Sequence, residues 1–237
     1  MTEPAIESAN EFIGLCTDLE AALKHLGAKD AQGLGDAVRL LGNNRIVARY
    51  RSALSSFATL RNAIAHERYR DGTPIAVPLP ETIQEARKVL HELNTPTPAF
   101  GFSSVPLVAD EDDALRDCLV RMSEKDISQV PVRDREGGYR CILTTNAVAR
   151  WLADRLDERG DVLVENVRVA DVVSFLESHE VARFVPRGVS AVDAIHFLTQ
   201  DNPPVALLIT ETGKPAESIL RVLARSDVPA MQEALQL

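Results

Sequence analysis

Along the first 95 positions apolar residues recur every three or four places, the spacing of helices that bury one face. Phe12, Leu15, Leu19, Ala22, Leu23 and Leu26 predict a helix over 5–26, with Gly27 as its cap. Leu34, Ala37, Val38 and Leu41 predict a second over 30–41, ended by Gly42-Asn43-Asn44. Ile46, Tyr50, Ala53, Leu54, Phe57 and Ile64 predict a long third helix from 45 to about 66, which Asp71-Gly72-Thr73-Pro74 then breaks. Ile83, Ala86, Leu90 and Leu93 mark a fourth, before the stiff Thr95-Pro96-Thr97-Pro98 linker.

After the linker the period changes, and the new pattern occurs twice. The first copy predicts a strand over 104–108, then a helix opened by Asp110-Glu111-Asp112-Asp113 with Leu115, Cys118, Leu119 and Met122 inward. Strands over 129–132 and 139–143 flank a Gly137-Gly138 turn. A helix from Thr144 or Thr145 closes the copy, bearing Val148, Trp151, Leu152 and Leu156. The second copy predicts a strand over 182–185, a helix capped by Ser190, hairpin strands over 205–210 and 218–223, and a helix over 226–235. Asp117 and Asp193 fall at matching places. One β-α-β-β-α copy leaves its sheet uncovered, so the two should pack together. The expected class is α+β: an all-α bundle over 1–95, then two α/β units over 98–160 and 165–237.

With 237 residues and 45% apolar content, the chain can build more than one core. No apolar run approaches the roughly 18 residues of a membrane helix. The start, Met1-Thr2-Glu3-Pro4, lacks the layout of a signal peptide. Cys16, Cys118 and Cys141 are odd in number and lack metal-ligand spacing, so free thiols in a reducing cytoplasm are expected, and no metal. The formal charge of -9 argues against a DNA-coating protein. Its distribution matters more. No acidic residue lies between Asp36 and Glu67, while Arg39, Arg45, Arg49, Arg51 and Arg61 all do.

That basic stretch ends in Arg61-Asn62-Ala63-Ile64-Ala65-His66. Asn62 and His66, four apart, share one helix face, with Arg61 beside them near the inward stripe. An inward Arg needs an anion or a carboxylate from another helix. A cation, an amide and an imidazole together can serve phosphodiester chemistry. The plainer reading is a surface His and a paired Arg.

The run resembles HEPN domains (higher eukaryotes and prokaryotes nucleotide-binding), whose signature is Arg, a polar residue, and His after four to six intervening positions. Arg61, Asn62 and His66 fit it. In one subgroup a Tyr follows two residues after the His; here Arg68 stands there, and Tyr69 comes one later. The resemblance implies a metal-independent endoribonuclease acting as a homodimer on single-stranded RNA. His66 would be general acid or base, Arg61 would bind the scissile phosphate, and Asn62 would orient one of them.

The C-terminal pattern resembles a tandem pair of CBS (cystathionine β-synthase) domains. It does so most clearly in Ile127-Ser128-Gln129-Val130-Pro131-Val132 and Ile142-Leu143-Thr144-Thr145-Asn146. The resemblance implies an adenosyl ligand (AMP, ATP or related) bound between the copies as a regulatory ligand. In the family a Gly-x-x-Ser/Thr-x-x-Asp run meets the ribose. The first copy keeps the hydroxyl at Thr144 but has Ala147 for the Asp; the second keeps Asp227 but has Ala224 for the hydroxyl. The residues implied at the ligand are therefore Thr144, Thr145, Asp227 and Arg225, with one site expected rather than two. Thr144 reads equally as a helix cap, and Asp227 as an early-helix carboxylate. Together the two resemblances imply an adenine-nucleotide-sensing protein whose helical part cleaves RNA under ligand control. The alternative is a non-catalytic regulator whose helical part dimerises or binds a partner.

Overall fold

A computed structural model of the chain describes residues 3–66, 75–156 and 164–235. It is α+β and divides into two compact units, one within Met1–Thr97 and one spanning Pro98–Ala234.

The first unit is helical. Helix α1 (Glu3–His25) buries Phe12, Cys16, Leu19 and Leu23 on one face. It ends where Gly27 turns to φ 129° and the Ala28 amide reaches back to the Leu23 carbonyl, a closure that favours glycine. Helix α2 (Leu34–Leu40) starts later than the apolar spacing predicts. The Asp36 carboxylate takes the Gln32 amide and holds the preceding residues in a turn.

The single helix expected from 45 to 66 is two: α3 (Arg45–Arg49) and α4 (Arg51–His66). Asn44 caps α3 through the amides of Ile46 and Val47. Tyr50, at φ -96° and ψ 12°, marks the break; its ring is buried, while Arg51 turns back to the Gly42 carbonyl. Helix α5 (Pro80–Asn94) opens with proline, whose missing amide costs nothing there. Its buried stripe is Ile83, Ala86, Val89 and Leu93. The break expected at Asp71-Gly72-Thr73-Pro74 lies outside the described residues. Helix α1 packs on α2, α4 and α5 around an edge-to-face Phe12–Phe57 pair with centroids 6.0 Å apart.

The second unit holds two three-stranded sheets of the same plan. Strands β1 (Ala109–Asp110), β2 (Gln129–Arg133) and β3 (Tyr139–Thr144) form one, in that order. Strands β4 (Ala182–Pro186), β5 (Ala206–Thr210) and β6 (Arg221–Leu223) form the other. In each the first pair is parallel and the second antiparallel. Helices α6 (Leu115–Glu124) and α9 (Ala191–Thr199) supply the parallel crossovers, as such connections require. Helix α7 (Thr145–Arg155) follows β3, and α10 (Val228–Ala234) follows β6 after one 3-10 turn. A short helix, α8 (Val169–Val173), was not foreseen by the spacing.

The strand expected over 104–108 is absent. Ser104 instead makes one bridge to Val222 in the other repeat, and Pro106, lacking an amide, cannot continue a ladder. The four acids expected to open a helix lie before it. Asp110 pairs with Arg133, Asp112 with Arg135 and Arg168, and Glu111 with Arg140. Ala206, Leu208, Ile142, Phe184 and Tyr139 pack between the two sheets, with Tyr139 and Phe184 edge to face at 4.9 Å.

Candidate functional site

Two places gather the residues of interest. At the C-terminal end of α4, one nitrogen of Arg61 contacts both of its companions. Nη1 donates to Asn62 Oδ1 at 3.2 Å and lies 3.0 Å from His66 Nε2. A guanidinium can only donate, so Nε2 accepts and the imidazole proton sits on Nδ1. Arg61 is half-buried, and Asn62 and His66 are exposed. The helix spacing predicts this proximity; the structure adds that Asn62 holds Arg61 rather than His66. Among the described residues no carboxylate pairs with Arg61, although the inward stripe called for an anion. Cys16 lies close enough for Arg61 to favour its thiolate, but burial dominates and pushes the thiol up to about 12.

In the second unit, two neighbouring cavities open along the line where the repeats meet. The larger, about 620 Å³, is walled by Ser128 and Gln129 of the first repeat and by His179, Asn202 and Arg225 of the second. The smaller, about 490 Å³, is walled by Ser104, Asp126 and Ser128 on one side and Val222, Ser226 and Asp227 on the other. Ser128, Gln129, Ala224 and Ser226 border both. Arg225 is exposed, and Asp227 is half-buried. One oxygen of Asp227 accepts the Ala224 amide at 2.7 Å. Burial raises the Asp227 carboxyl above the ordinary range, and that hydrogen bond only partly counters it. A carboxylate with one oxygen on the backbone can offer the other to ligand hydroxyls.

Thr144 and Thr145 border neither cavity. Thr144 caps α7 by accepting the Ala147 amide at 3.0 Å and donates to Glu180 Oε1 at 2.6 Å, so its proton is committed to the protein. Thr145 is exposed, with its amide on the Ser128 carbonyl. Glu180 also binds Arg150 and the Glu177 amide. Burial would raise its carboxyl, but the Glu177 amide, Thr144 and Arg150 outweigh that and hold it below the usual range. Glu180 escaped the reading of the sequence. Its only signal is positional: aligning the repeats sets it against Ser104.

Residues 102–154 match the family model of the CBS domain. Solved structures similar to this chain include CBSX2 in complex with AMP, at 14% identity and TM-score 0.42, covering 59% of this chain and 98% of that one. A signal-transduction protein with CBS domains from Burkholderia ambifaria MC40-6 is 18% identical at TM-score 0.42, covering 57% and 87%. The CBS domain of a bacterial CNNM/CorC family Mg2+ transporter in complex with ATP is 18% identical at TM-score 0.41, covering 62% and 96%. No curated protein matches the chain. Among the described residues no helix is long and apolar enough to cross a membrane, and no group of three or more His, Cys, Asp or Glu is placed to hold a metal ion.

Proposed function

We propose that the second unit binds an adenosyl ligand such as AMP or ATP as a regulatory signal. The observation that carries this reading is the cavity of about 490 Å³ between the repeats, with Asp227, Ser226 and Ser128 on its wall. Its size suits a nucleoside, and the mix of Val105, Pro106, Leu107 and Val222 with hydroxyls and a carboxylate suits a flat base joined to a sugar. The match of residues 102–154 to the CBS domain supports it. Binding should raise the melting temperature with AMP or ATP, and Asp227→Ala should remove most of that shift. No shift with either nucleotide would end this reading.

The second reading concerns the response. The resemblance of the Arg61-Asn62-His66 run to HEPN domains implies a metal-independent endoribonuclease acting on single-stranded RNA as a homodimer. The 3.0 Å contact between Arg61 and His66 supports it to the extent of putting a phosphate binder beside a base. Arg61 would bind the phosphate, with Asn62 steadying the guanidinium by its amide oxygen. His66, released from Arg61 by that phosphate, would take the 2′-hydroxyl proton on Nε2 and later return a proton to the leaving 5′-oxygen. Its test is RNA cleavage by wild type and His66→Ala, each with and without AMP or ATP. Equal products from both proteins would leave the non-catalytic regulator as the reading, with the helical unit serving dimerisation or partner binding.

A further inference from the structure

The strand pairings fix which residues of the two repeats correspond. Ala109 pairs with Val132 and Val185 with Ile209; Val130 pairs with Leu143 and Leu207 with Leu223. Stepping forward one residue from Leu143 and Leu223 sets Thr144 against Ala224, and Ala147 against Asp227. Stepping back five from Ala109 and Val185 sets Ser104 against Glu180. The fold therefore builds two equivalent positions, each made from the segment before a first strand and the turn after a last strand. Ser104, Ala224 and Asp227 make one; Glu180, Thr144 and Ala147 make the other.

The two carry their carboxylate on opposite walls. In the first, Asp227 comes from the turn and, with the small Ser104, borders an open cavity. In the second, Glu180 comes from the segment and crosses to the turn. Its side chain is 2% exposed and both oxygens are spent: Oε1 on Thr144, and Oε2 on Arg150 and the Glu177 amide. The larger cavity runs past Val181 and Asn202–Val205, the counterparts of the walls of the smaller one, yet no residue from 142 to 147 borders it. Glu180 borders neither cavity; its buried side chain is tied to Thr144 instead.

We propose that Glu180 is a built-in occupant of the second position, taking from Thr144 the hydroxyl contact a ligand sugar would need, so that each chain binds one adenosyl ligand, at Asp227. This rests on the adenosyl-binding reading above and adds its stoichiometry and the residue that sets it. The carboxylate serves as an internal surrogate for the polar end of a ligand. Arg150 then anchors a protein group and is not left to meet a nucleotide.

Titration calorimetry of the full chain with AMP, and separately with ATP, tests this. Wild type should bind one molecule per chain, and Asp227→Ala should lose it. Glu180→Ser, which installs the residue found at the equivalent position, should bind two. Two molecules on wild type would overturn the inference while leaving the binding reading intact. One molecule on a folded Glu180→Ser, or one retained by Asp227→Ala, would also overturn it. Should Glu180→Ser fail to fold, Glu180→Ala in the same titration decides the role of Glu180, two molecules bound supporting it and one overturning it. No binding of either nucleotide to wild type would sink the binding reading and this inference together.

Discussion

The hydroxyl of Thr144 and the carboxylate of Asp227 are the two halves of one capping box, divided between the repeats. Thr144, first in its turn, accepts the amide of Ala147 three residues on. Asp227, fourth in the equivalent turn, accepts the amide of Ala224 three residues back. A complete box would have both halves in each copy. Each repeat keeps one, and the half it keeps sets its use. The Thr144 hydroxyl is locked to Glu180, whereas Asp227 retains an oxygen beside a cavity.

Thr144→Val should destabilise the protein by about 2 kcal/mol, combining a lost helix cap with a buried carboxylate oxygen left without its donor. Thr145→Val, at an exposed neighbouring position, should change stability by no more than about 0.5 kcal/mol. Urea unfolding of the two variants beside wild type provides the measurement. A Thr144→Val protein as stable as wild type would remove the Glu180 bond from the account.

The Tyr50 hydroxyl is buried and makes no hydrogen bond of good geometry among the described residues, although the Arg49 side chain lies close to it. Tyr50→Phe keeps the ring that fills the break between α3 and α4 and removes the orphaned polar atom. It should raise stability by roughly 1 kcal/mol, seen as a higher melting temperature. A lower one would show that the hydroxyl has a partner in solution.

Acid should weaken the fold through carboxylates held low in the native state. Glu217 sits at about 2, mainly through the Thr212 hydroxyl and amide, and Glu180 and Asp112 are also depressed. Unfolded carboxylates titrate near pH 4, so the unfolded chain binds more protons as pH falls. Stability from these groups is complete above about pH 5 and is lost as pH drops toward 2. Asp227 acts with the opposite sign: its raised carboxyl favours the protonated native form, so ionising it costs stability as pH rises through that value. Melting curves from pH 7 to 2.5 should fall monotonically below about pH 5. Asp227→Asn should lie above wild type near neutrality. A flat profile would contradict the hydrogen bonds and ion pairs that hold these carboxylates low.

For the helical unit, Arg61→Lys is the informative change. A lysine keeps the charge but loses the planar fork that meets a phosphate and Asn62 together. Cleavage by the variant should fall roughly 100-fold in kcat if Arg61 stabilises the transition state. An unchanged kcat with raised KM would reduce its role to binding RNA.

The apolar spacing by itself placed the helical segments of the first unit, though not the break at Tyr50, every strand except the first of the first repeat, and the closeness of Arg61, Asn62 and His66. All of these are local: residues three or four apart on a helix, or alternating along a strand, meet whatever the rest of the chain does. Only the tertiary structure decided the rest. Tyr50 splits a continuous helical pattern because its ring is buried in the core, which the pattern does not record. The acids at 110–112 face arginines at 133, 135, 140 and 168 instead of opening a helix, because those partners are brought in by the tertiary fold. Thr144 and Asp227, both candidates in the sequence with Asp227 the better anchor, part company further because Glu180 lies 36 residues beyond Thr144 and reaches only that one. A side chain's availability depends on what packs against it, and packing between distant segments is not written in local spacing.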